Sequence, residues 1–133
     1  MRGLKRLVAL MCSAALMAAL MAACGGDVEV KLFAYDPGEA FVTNFAEPDA
    51  KKMLKCAVMF EITDQKAVES LVERNYIIRD AVIKELSRLT TEDATVYKDL
   101  DALGVRLVEA VNAALGLPDP IFHGAYFSEF TVA

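Results

Sequence analysis

The chain has 133 residues, room for one domain and too few for two well-packed ones. Hydrophobic residues make up 56% of it and the formal net charge is −5, unevenly spread. Residues 1–26 hold Arg2, Lys5 and Arg6 and no acid, leaving 11 bases against 19 acids in the remainder, a net of −8 that repels phosphate backbones and argues against nucleic acid as a partner.

"MRGLKR" is a basic leader to "LVALMCSAALMAALMAA", Leu7 to Ala23, which carries no charge and no polar face. At 1.5 Å per residue these 17 residues span about 25 Å as a helix, short of a roughly 30 Å hydrocarbon core. The segment reads as a targeting or anchoring element. "MAAC" is similar to a bacterial lipobox, which implies that Cys24 is the lipid-attachment residue and the mature N-terminus. An uncleaved membrane anchor and a cleaved secreted form are the alternatives. All three place the domain from residue 27 onward outside the cytoplasm, because the basic residues stay inside.

"DVEVKLFAY" alternates and predicts a strand, with Val28, Val30 and Leu32 on its apolar face. "YDPGEA" is a turn around Pro37 and Gly38, and "FVTNFAEPDA" a second strand ended at Pro48. "MLKCAVMFEI" is the strongest strand: Leu54, Cys56, Val58, Phe60 and Ile62 form an unbroken apolar face. Asp64 then caps one long predicted helix whose stripe is Val68, Leu71, Val72, Ile78, Val82, Leu86 and Leu89. "TTED" opens a new helix through a capping-box-like start, continued by Leu100, Leu103, Leu107, Val111 and Leu115 and stopped at Gly116 and Pro118. "IFHGAYFSEFTVA" returns to alternation, with Phe122, Tyr126, Phe130 and Val132 expected inside and His123, Glu129 and Thr131 outside. Strands, two long helices and a last strand predict an α+β domain over residues 27–133, with a small antiparallel or mixed sheet and helices on one side.

Chemistry is sparse. His123 is the single histidine, and a Cys56–His123 pair would need a thiol that the strand pattern turns into the core. No metal spacing, phosphate loop or cofactor motif occurs, so no catalytic, cofactor-binding or metal-binding residue is assigned.

Four segments together resemble the flagellar basal-body FliL family. "AFVTNFAEP" with "KKMLKCAVMFEI" is similar to its opening strands. "IIRDAVIKELSRLTTED" resembles its Ile-Arg-Asp helix and following turn, at Ile78, Arg79, Asp80, Ile83, Leu86, Thr91, Glu92 and Asp93. "GVRLVEAVNAALG" matches at Gly104, Leu107 and Asn112, and "AYFSEFTV" resembles the closing strand with Ser128 in place of Thr. The resemblance implies a stomatin/SPFH-like extracytoplasmic domain without catalysis. It implies a single-pass inner-membrane protein that associates with flagellar stator units, self-assembles and supports rotation, motility and chemotaxis. Two features depart from the family: the short, Ala-rich N-terminal segment, and Gly25 after Cys24, which in diderm bacteria favours outer-membrane sorting. A lipid-anchored envelope scaffold of another assembly is the alternative reading.

Overall fold

The computed structural model describes residues 29–96 and 100–133. The N-terminal hydrophobic segment and Cys24 therefore lie outside the described residues. Met1–Val30 is one unit, in which only Glu29 and Val30 are described and both are exposed; Lys31–Ala133 is the other.

In the second unit the elements run β1 (Phe33–Tyr35), β2 (Phe41–Asn44), β3 (Met53–Ile62), a 3-10 turn (Gln65–Ala67), α1 (Val68–Glu73), α2 (Asn75–Leu86), α3 (Thr91–Val96), α4 (Leu100–Leu115) and β4 (Phe122–Val132). This is an α+β fold whose sheet pairings are all antiparallel, with no parallel pair among the described residues. β3 is the spine. One of its edges is shared by two short strands, β1 opposite Phe60–Ile62 and β2 opposite Met53–Cys56. Its other edge pairs with β4 from Leu54 to Ile62.

The β3 parity is as the alternation predicts: Leu54, Cys56, Val58, Phe60 and Ile62 are buried, and their neighbours stay half-buried or exposed. Against that face pack Ile78, Val82 and Leu86 of α2 and Leu103, Leu107 and Val111 of α4, all fully buried. Each such side chain contributes about 1.5–3 kcal/mol by leaving water. The helices cover this face alone, so the opposite face of the sheet keeps Val42, Met53, Met59 and Tyr126 exposed.

Three expectations need correction. The first strand starts at Phe33, with Glu29–Leu32 outside it, and its parity is inverted: Tyr35 is buried while Val30 and Leu32 are exposed. Aromatic area decides this, since Phe33 and Tyr35 sit opposite Ile62 and Phe60 and cover more of the core than valines could. The first long helix is interrupted at Arg74, whose backbone (φ −101°, ψ 14°) leaves the helical region. Of α1, Leu71 is buried in the core and Val68 packs half-buried against it, while Val72 ends 61% exposed. In β4 the simple alternation fails at two bulges. Glu61 pairs with Gly124 and Ile62 with Phe122, leaving His123 extra; Ala57 pairs with Glu129 and Val58 with Phe127, leaving Ser128 extra. Phe122, Ala125, Phe127 and Phe130 therefore face the helices, and Tyr126 turns outward, 58% exposed.

Candidate functional site

The domain is held by a few polar side chains that reach between layers. Arg79, on α2, donates from Nη1 to the carbonyls of Pro37 (3.0 Å) and Glu39 (2.8 Å), and its guanidinium lies 4.2 Å from the Phe41 ring centroid. Asn75 donates to the Pro37 carbonyl at 2.9 Å, and its Oδ1 lies 2.8 Å from the Tyr35 hydroxyl, which is also 3.1 Å from the Leu71 carbonyl. Burial and then the nearby Asp36 charge push the Tyr35 hydroxyl above its ordinary range. Together these contacts fasten the excursion between β1 and β2, where Asp36 accepts from the Gly38 N–H and Gly38 takes φ +100°.

Arg74 caps the far end of the helix layer, donating to the Leu115 carbonyl at 2.8 Å. The capping box forms as expected: the Thr90 N–H donates to Asp93 at 2.8 Å, and the Asp93 N–H to the Thr90 hydroxyl at 3.2 Å. Thr91 adds a link to the loop after β2, donating its hydroxyl (2.6 Å) and N–H (3.1 Å) to Asp49. The hydroxyl first and the N–H second hold the Asp49 carboxyl below the usual carboxylate range.

Among the described residues Cys56 and His123 do not form a reacting pair. Cys56 is fully buried, and its thiol is pushed up to about 12, by burial first and the Glu129 charge second. Its β4 neighbour is Phe130, seven residues from His123, a separation of roughly 20 Å along a strand, so thiol and imidazole do not meet. No group of His, Cys, Asp and Glu among the described residues is arranged to hold a metal ion.

What the fold does present is a groove of about 460 Å³ between α4 and β4. Its helix wall is Asp101, Val105, Val108, Glu109 and Asn112, a repeat of three and four residues that keeps one helix face toward it. Its floor is close packing at Gly104, where a Cβ would stand 3.1 Å from the Ala125 carbonyl oxygen. Its other wall is Phe122 to Tyr126, with Pro120 at the end. Core-facing Ala125 and outward-facing Tyr126 both line it, which places the groove at the edge of β4 away from β3, unpaired among the described residues. Asn112 fills the start of that edge, donating to the Phe122 carbonyl at 2.9 Å and accepting from the Phe122 N–H at 3.1 Å. The Glu61 charge and its hydrogen bond raise the Tyr126 hydroxyl above its ordinary range.

Sequence reasoning placed Gly104 and Asn112 in a motif and did not see the groove they floor and close. The available signal was the apolar spacing of three, two and three in Phe122, Ala125, Phe127 and Phe130, which a plain strand cannot present to one face.

The family described as "Flagellar basal body-associated protein FliL" matches residues 34–132. "Flagellar protein FliL" of Aquifex aeolicus (strain VF5) is 23% identical over 101 residues, 76% of this chain. The chain spans about 60% of the length of that curated relative.

Proposed function

The chain belongs to the FliL family, and on that premise we propose that it is a non-catalytic accessory of the flagellar motor, tethered to the cytoplasmic membrane and associating with stator units. The single observation that carries the reading is the family match across residues 34–132, which takes in every strand and helix of the domain except the first residue of β1. Cys24 carries the lipid, residues 1–26 are the targeting segment, and the domain from residue 27 works on the periplasmic side. Tethering in two dimensions raises the effective concentration of weak partner contacts, so self-association needs no high solution affinity. A repeated head-to-tail contact closes into a ring when each copy offers two different patches.

The test is deletion of the gene, with motor speed measured under load and in-membrane crosslinking of the full-length protein. Intact filaments, reduced torque, and crosslinks to itself and to a stator subunit are expected. Unchanged high-load motility without any stator crosslink refutes the reading. One observation favours the envelope-scaffold alternative: Gly25 behind Cys24. Recovery of the protein in the outer-membrane fraction would select it.

A further inference from the structure

We propose that the groove between α4 and the free edge of β4 receives an extended, basic peptide segment of a partner protein, added to the sheet as a further strand. This rests on the reading of the domain as an assembly module and names the partner chemistry of its groove. Three features lead to it. The first is the asymmetry of the two sheet edges. On one side of β3 the edge is broken into pieces of three and four residues, and the gap between them is held by Arg79 and Asn75. Short, interrupted edges are poor templates for another strand. β4, in contrast, is an edge strand of eleven residues.

The second feature is the wall. α4 runs beside the β4 edge and leaves Val105 exposed and Val108 half-buried over it. A strand laid along β4 would gain backbone hydrogen bonds on one side and apolar contacts from the helix on the other, the arrangement used when peptides extend a sheet beneath a helix. Asn112 already completes both backbone groups of Phe122, and the bulge at Ser128 ends regular pairing, so the acceptor stretch is Gly124–Phe127.

The third feature is charge. Asp101 and Glu109 line the groove, the Glu61 carboxylate lies over Gly124 of its strand wall, and among the described residues neither Lys nor Arg lines it. Alternating apolar and basic residues match this: one set of side chains meets Val105 and Val108, and the other meets the acids.

The experiment uses the purified full chain in detergent micelles, with two synthetic hexapeptides, alternating Lys-Val and alternating Glu-Val, and amide hydrogen exchange as readout. Saturating Lys-Val peptide should slow exchange at Gly124–Phe127 by roughly tenfold, and Glu-Val peptide should not. Glu109→Lys and Val105→Lys together, both at exposed positions, leave Asp101 and Glu61 against the two new lysines, a net charge of zero, and should abolish the preference for the Lys-Val peptide without changing the melting temperature. No slowing at Gly124–Phe127, equal slowing by both peptides, or protection that depends on protein concentration alone overturns the proposal, the last by showing that a second copy occupies the edge. Because the assay needs no flagellum, its failure leaves the motor reading standing, and a deletion strain with normal torque leaves the groove's peptide binding standing.

Discussion

Removing the Asn112 amide separates two accounts of that residue by the sign of the effect. If Asn112 is only a surface residue of α4, Asn112→Ala raises helix propensity and stabilises the domain by about 0.5 kcal/mol. In the structure, however, its side chain completes both the N–H and the carbonyl of Phe122, at 3.1 and 2.9 Å, where β4 begins. Each such bond contributes about 1 kcal/mol net, and the two Phe122 groups are only partly open to water once the amide is gone. Two bonds lost against the propensity gained leave a net destabilisation of about 1.5 kcal/mol, or roughly 7 °C in Tm for a domain near 100 residues. Asn112→Asp keeps the acceptor but sets a carboxylate oxygen against the Phe122 carbonyl, so it should cost at least as much. Urea and thermal denaturation of wild type and both variants measure this, and amide exchange should quicken first near Phe122. A stabilised or unchanged Asn112→Ala refutes the reasoning.

Cys56→Asp buries an unpaired charge and should cost roughly 3–5 kcal/mol, whereas Lys55→Asp replaces its exposed 3.0 Å pair with Glu129 by a solvent-screened repulsion and should cost about 1 kcal/mol; equal melting temperatures would show the β3 parity to be wrong. With its thiol pushed up to about 12, Cys56 should resist iodoacetamide in the native protein and react on unfolding, as followed by mass spectrometry. Asp49 has a lowered folded-state pKa, so its contribution is present above the unfolded value near 3.8 and is lost as pH falls through the folded one; in Tm measured against pH, the gap between wild type and Asp49→Asn should close below about pH 4. Mass spectrometry of the membrane fraction should find an acylated Cys24 as the first residue, and an intact Met1 peptide there would instead mean a retained anchor.

Reading period and propensity along the chain located the middle of the fold better than its margins. β3 matched in both bounds and parity because it is covered on one face only, so its alternation is unopposed. The capping box at Thr90 and Asp93 was visible for a similar reason: it is closed by residues three apart, whatever the rest of the chain does. β1 misled because the apolar set Val28, Val30 and Leu32 and the aromatic set Phe33 and Tyr35 have opposite parity, and only pairing with Ile62 and Phe60 chooses between them. At the interruption, Arg74 donates to a carbonyl 41 residues away, that of Leu115, a contact that no local pattern can contain. The groove was illegible for the same reason, since its two walls come from α4 and β4 and its opening needs a bulge at His123.

The motif residues that suggested the family prove to be joints between layers. Arg79 fastens the β1–β2 excursion, Gly104 lets α4 approach Ala125, Asn112 starts β4, and Asp93 with Thr90 begins α3. None of them projects a nucleophile, a base or a ligand set into a cleft. Such a motif specifies a shape. Under the proposed assembly role, two surfaces among the described residues are open to a partner: the outer sheet face with Val42, Met53 and Met59, and the acid-lined edge beside α4. Of the two, the edge offers direction as well as area: backbone hydrogen bonds fix the register of an added strand, whereas a flat apolar face does not. On the proposed reading of the edge as a peptide-binding site, a partner segment held in one orientation needs that register. The edge of β4 is therefore where changes that alter partner choice but not folding should fall.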